Sequence, residues 1–121
     1  MRGLGELESA VMDRLWRWAR PATVRDVVDD LNAVRPLAYT TVQTVMDNLF
    51  RKGWLTRALH GRAYRYEPTI TRQAAAARLM REALSAGEDH HAVFAHFLAQ
   101  MDPDESRALR TALRRLRRAA P

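Results

Sequence analysis

The sequence predicts a mainly α-helical protein with one small β-hairpin: three helices and the hairpin first, then an arm of three more helices. Three observations lead there. Apolar residues recur at helical spacing in six separate stretches, bounded by cap residues, proline or glycine. Between the third and fourth stretches, Trp54–Leu59 and Ala63–Tyr66 are β-prone runs around His60, Gly61 and Arg62, a compact hairpin signal. The third helical stretch carries short polar side chains outside its apolar stripe, where an ordinary solvated helix carries Glu/Lys pairs. The expected domains are residues 1–70 and 71–121.

Composition narrows the class. The 121 residues are 47% hydrophobic and 28% charged, ordinary for a globular chain with a core, which excludes wholesale disorder. The net charge is +6 and the pI about 10.9, which favours an anionic partner, nucleic acid ahead of a membrane surface. Without cysteine there are no disulfides, thiolate metal sites or cysteine nucleophiles. That composition fits a reducing cytoplasm. No apolar run approaches the roughly 20 residues of a membrane span, and the N-terminus lacks the apolar core of a signal peptide. A cytoplasmic protein without membrane insertion is expected. No glycine-rich phosphate loop or nucleophile motif is present, so neither an enzyme nor a cofactor is expected.

The elements follow in order. Leu7, Val11, Met12, Leu15 and Trp18 line a first helix of about four turns that ends near Arg20-Pro21. Thr23 with Asp26 three residues on is a capping-box pattern, and Val24, Val27, Val28 and Leu31 form the inner face of a second helix. That helix stops before Arg35-Pro36, because a residue preceding proline disfavours helical backbone. The third helix is expected to start at Thr40 or Thr41 with cap chemistry and to close at Gly53. Val42, Val45, Met46, Leu49 and Phe50 face inward, leaving Thr40, Thr41, Gln43, Thr44, Asp47, Asn48 and Arg51 outside.

Threonine, glutamine, asparagine and arginine are the residue types that reach base edges and phosphates in a major groove. From Arg51 to Tyr66 there are five positive residues (Arg51, Lys52, Arg57, Arg62 and Arg65) and no acid. Two helices, a polar-faced third and a basic hairpin make the order of a winged helix-turn-helix, with the third helix in the major groove and the hairpin on the backbone. The candidate DNA-binding residues are Thr40, Thr41, Gln43, Thr44, Asn48, Arg51, Lys52, Arg57, Arg62 and Arg65. Asp47 fits least well, since it would repel phosphate from the contact face.

The arm begins near Thr69–Thr71 and runs through an alanine-rich stretch to Ser85-Ala86-Gly87. A fifth helix presents Val93, Phe94, Phe97 and Leu98. Asp102-Pro103-Asp104-Glu105 starts a sixth, with Leu109, Ala112, Leu113 and Leu116 as its stripe. These helices have too little core of their own, so a homodimer is expected through Leu79, Leu84, Phe94, Phe97, Leu98, Leu109, Leu113 and Leu116. The arginines of the sixth helix read as a solvated face that complements the helix dipole. Two other readings exist: a winged helix that docks proteins, and a metal-dependent protein built on Glu88, Asp89, His90, His91 and His96. The histidine spacing matches no helical i, i+4 ligand pair.

Several blocks together resemble the penicillinase-repressor family of bacterial winged-helix repressors, the β-lactamase and methicillin-resistance regulators. They are Leu7–Met12 with Leu15-Trp16, Thr23–Val27, Ala38–Val45, Leu49 and Lys52-Gly53 with Leu55, and Gly61-Arg62 with Tyr64–Pro68. The resemblance implies a dimeric repressor on an inverted-repeat operator overlapping a promoter. Its DNA contacts would come from the third helix and wing, here Thr40, Thr41, Gln43, Thr44 and Arg62. In some members a membrane sensor's protease triggers cleavage within the arm at an Asn-Phe pair; this chain has Phe94-Ala95 there. The resemblance suggests a regulatory protease as a further partner, and the departure from Asn-Phe counts against cleavage at this step. A copper-responsive branch uses C-terminal cysteines, which this chain lacks.

Overall fold

The computed structural model describes residues 3–120; the ends of the two expected domains, residues 1–2 and 121, lie outside them. Among the described residues there are six helices and one antiparallel hairpin: α1 (Glu6–Trp18), α2 (Val24–Asn32), α3 (Tyr39–Arg51), β1 (Leu55–His60), β2 (Ala63–Pro68), α4 (Arg72–Ala86), α5 (His90–Leu98) and α6 (Pro103–Ala119). Packing divides the chain into two compact units, Met1–Leu79 and Met80–Pro121. No described helix is long and apolar enough to cross a membrane.

In the first unit, Val11, Met12 and Leu15 from α1, Val27 and Val28 from α2 and Val42, Met46 and Leu49 from α3 meet with Leu55 and Tyr66 of the hairpin. Each is at most 3% exposed, and burying a side chain of this kind stabilises by roughly 1.5–3 kcal/mol. Sequence periodicity anticipated this core. Thr23 caps α2 as expected: its hydroxyl accepts from the Asp26 amide at 3.1 Å while the Asp26 carboxylate accepts from the Thr23 amide at 3.0 Å. The α1 end turns through Ala19, which takes left-handed backbone at φ 54 and donates its amide to the Leu15 carbonyl at 3.2 Å.

The third helix differs from its expected start. It begins at Tyr39, with Ala38 at the cap position and no side-chain cap. Neither Thr40 nor Thr41 caps it: Thr40 already lies inside the first turn, and the Thr44 hydroxyl donates back to the Thr40 carbonyl at 2.9 Å. The approach is instead tied by the Asn32 side chain, which accepts from the Leu37 amide at 2.6 Å.

The hairpin is anchored at its base. Tyr66 and Ala22 exchange backbone hydrogen bonds at 2.8 and 2.9 Å, so the α1–α2 connection adds a one-residue rung to the sheet. Past β2, the Thr69 hydroxyl donates to the Gly53 carbonyl at 2.8 Å and the Trp16 indole donates to the Ile70 carbonyl at 2.9 Å. Arg72 reaches Asp13 at 2.6 Å and Ala75 is fully buried. These ties explain why the first unit runs on into α4 up to Leu79, whereas the expected boundary at residue 70 lies just before that helix.

In the second unit, Asp89 caps α5 through the Ala92 amide at 3.1 Å. Asp102 and Glu105 form the expected capping box of α6, with Pro103 in its first turn. At the α4–α5 corner, a Cβ on Gly87 would stand 2.4 Å from Val93 Cγ2, so any larger residue would force that side chain or the corner to shift. No residue of α5 or α6 is buried.

Candidate nucleic-acid interface

The side chains of α3 sort cleanly by exposure. Val42, Met46 and Leu49 are buried, whereas Thr40, Thr41, Gln43, Thr44, Asn48 and Arg51 are exposed. A helix with one face sealed in a core and a polar face of this chemistry can enter a groove without unfolding anything.

The hairpin register pairs Arg57 with Tyr66, Ala58 with Arg65, Leu59 with Tyr64 and His60 with Ala63. Because side chains alternate across a strand, Arg57, Tyr64 and Tyr66 share one face and Arg65 takes the other. Gly61 and Arg62 form the two-residue turn, with φ 64 at Gly61, the left-handed conformation that such turns need at their first position. Arg62 and Arg65 are exposed and make no ion pair among the described residues.

The structure separates the five basic residues of this stretch into two groups. Arg57 turns in against the helix: its guanidinium lies 4.1 Å from the Phe50 ring centroid, 4.3 Å from that of Tyr64, and 3.1 Å from an Asp47 oxygen. Arg51 holds the other Asp47 oxygen at 2.9 Å. Lys52 bonds both oxygens of Glu8 at 2.9 Å. Burial alone would raise the Glu8 carboxyl, but the Gly5 amide and the Lys52 ammonium outweigh it and hold it below its ordinary 4.5. Asp47, the acid that fits least well among the outward residues of α3, thus has a defined place. Half-buried between Arg51 and Arg57, it joins the C-terminal end of α3 to the first strand of the wing.

Two residues outside the expected set lie beside it. Arg25 of α2 stacks over the Tyr39 ring at 4.8 Å, and both line a groove of about 370 Å³ together with Gln43 and Arg62. Tyr39 precedes Gln43 by four residues and so shares its helical face, a sequence signal that would have flagged it. Arg25 carried no such local signal, because its neighbour in space lies fourteen residues along the chain.

The expected arm residues are placed as follows. Phe94, Phe97, Leu98, Leu113 and Leu116 are exposed, the last at 67%, while Leu79, Leu84 and Leu109 are half-buried. Among the described residues no three His, Asp or Glu side chains converge on a point that would hold a metal ion.

Comparison with known proteins supports the same reading. The penicillinase repressor family profile matches residues 4–115. The transcriptional regulator BlaI of Mycobacterium tuberculosis is 45% identical over 116 residues, covering 93% of this chain and 84% of that protein. The solution structure of the DNA-binding domain of the repressor BlaI superposes with a TM-score of 0.53 at 26% identity, covering 58% of this chain and 84% of that one. MepR, a transcription regulator of a Staphylococcus aureus multidrug efflux pump, shares the fold at a TM-score of 0.50 and 16% identity, over 94% of this chain and 78% of its own. The match over nearly the whole length, with three helices followed by a basic hairpin, places this chain in the penicillinase repressor family of winged-helix transcriptional regulators.

Proposed function

We propose that this DNA-binding repressor acts as a cytoplasmic homodimer on an inverted-repeat operator, with α3 in the major groove and the hairpin tip on the adjoining backbone. The observation that carries the reading is the division of labour around α3. Thr40, Thr41, Gln43, Thr44 and Asn48 stand exposed on the face away from the core, and the free guanidinium groups of Arg62 and Arg65 lie on the wing. Gln43 can bond a base edge through both its amide atoms, while the wing arginines meet phosphate or the minor groove.

Dimerisation is supported by the arm. Five large apolar side chains of α5 and α6 are about half or more exposed, and a helical unit with no buried residue from those two helices needs another surface to cover it. A second copy fits, because a two-fold pair of reading helices matches a palindromic site. The regulatory protease suggested by the resemblance would act on this arm, where Phe94-Ala95 of α5 stands in place of the Asn-Phe pair.

Footprinting across genomic DNA combined with sedimentation tests the reading. The expected result is a dimer that protects two symmetric half-sites about one helical turn apart. Leu113→Glu with Leu116→Glu should give a monomer with weakened operator binding. A monomeric parent protein, or protection of a single asymmetric site, would overturn it.

A further inference from the structure

We propose that Arg25 and Tyr39 form a phosphodiester-binding site on the α2 side of the reading helix, a third DNA contact beside the α3 face and the wing. The inference rests on the docking proposed for α3 and the wing, and adds a residue pair that belongs to neither element's expected set.

Arg25 is the second residue of α2, and its guanidinium lies 4.8 Å from the centroid of the Tyr39 ring. Stacking on a ring holds the planar group by its face and leaves its N–H edges free to bond in the plane. Tyr39 opens α3, one turn before Gln43, and one groove is lined by Arg25 of α2, by Gln43 and by Arg62 of the wing. A backbone that follows this groove meets a cation from each of the two elements.

The acids nearby are accounted for. Asp29, one turn along α2, stands 3.9 Å from Arg25, with both side chains about two-thirds exposed, a solvent-screened pair that holds little. Asp26 is engaged by the Thr23 amide and by Arg20 at 3.6 Å. The two non-bridging oxygens of a phosphodiester offer Arg25 a bidentate partner in place of the long, solvent-screened contact with Asp29, so the guanidinium exchanges Asp29 for DNA while keeping its place on Tyr39.

The test uses the full-length protein, a duplex selected from a random library by the unmodified protein, and a scrambled duplex of equal length. Arg25→Ala should weaken binding to both duplexes roughly tenfold per half-site, the size of one charge-assisted hydrogen-bonded pair. The slope of log affinity against log salt should shrink by about 0.9 for each phosphate that Arg25 no longer neutralises. Asp29→Asn should strengthen binding to both duplexes. Tyr39→Phe should keep affinity, because it keeps the ring, and Tyr39→Ala should lose much of what Arg25→Ala loses. Thermal melting of Arg25→Ala should match the parent, which separates a DNA-binding role from a folding defect. Full affinity and an unchanged slope in Arg25→Ala, with Arg62→Ala impaired, would overturn this site and leave the α3-and-wing docking standing. Full affinity in both variants would overturn that docking as well.

Discussion

Replacing Arg57 and Arg62 separately by alanine should divide two residues that look alike in sequence. Each is an arginine in a basic hairpin, and charge alone would assign both to phosphate. Their surroundings differ. The Arg57 side chain is only 24% exposed, held between Phe50 and Tyr64 and bonded to Asp47 at 3.1 Å. To reach phosphate it would have to leave two rings and a carboxylate at once. Arg62 stands at the turn with no ion pair among the described residues. Each phosphate neutralised releases condensed counterions and contributes about 0.9 to the slope of log affinity against log salt. Arg62→Ala in both protomers of a dimer should therefore reduce that slope by about 1.8. Over a fourfold change in salt this amounts to roughly a tenfold difference in how fast affinity falls. Arg57→Ala should leave the slope within about 0.3 of the parent while lowering Tm, since it removes a clamp between α3 and β1. Fluorescence anisotropy between 50 and 200 mM salt, about the range over which such slopes are read, measures the first effect and calorimetry the second. Equal slope changes in the two variants would refute the division into free and committed cations.

Gln43→Ala should reduce discrimination at particular base pairs by about 1–3 kcal/mol each, read by competition with single-substituted duplexes; unchanged specificity would remove Gln43 from the base-reading set. Gly87→Ala would place a methyl 2.4 Å from Val93 Cγ2 and should destabilise the arm by about 1–3 kcal/mol, visible as weakened self-association in sedimentation. Stability should fall in acid. Arg72 bonded to Asp13, and the Thr23 amide bonded to Asp26, hold those carboxyls below their ordinary 3.8. Depressed folded values mean that the contribution is complete above the ordinary value and is lost as pH drops through the lower, folded one. Tm should thus be flat between about pH 7 and 5 and decline below about pH 4, with a shallower decline in Asp13→Asn.

How much was legible beforehand depended on how local each signal is. Thr23 and Asp26, or Asp102 and Glu105, state a helix start within four residues, and the structure carries both capping boxes. The start of α3 was misplaced because two threonines at a boundary suggest a cap, whereas the observed start at Tyr39 is uncapped and the turn before it is tied by Asn32 from the preceding helix. The polar face of α3 was readable from periodicity alone, since every inward residue of its stripe lies within one helix.

Sequence by itself determined the inventory: six helices, one hairpin, the apolar faces and the polar residues that α3 exposes. Caps, prolines and helical spacing act over a few residues, so their consequences can be read in order along the chain. Only tertiary structure decided which cations remain free. Asp47 and Arg57 are ten residues apart, Glu8 and Lys52 forty-four, Asp13 and Arg72 fifty-nine. No local pattern announces such partners, and an arginine's reach to phosphate depends on whether a folded neighbour already holds it.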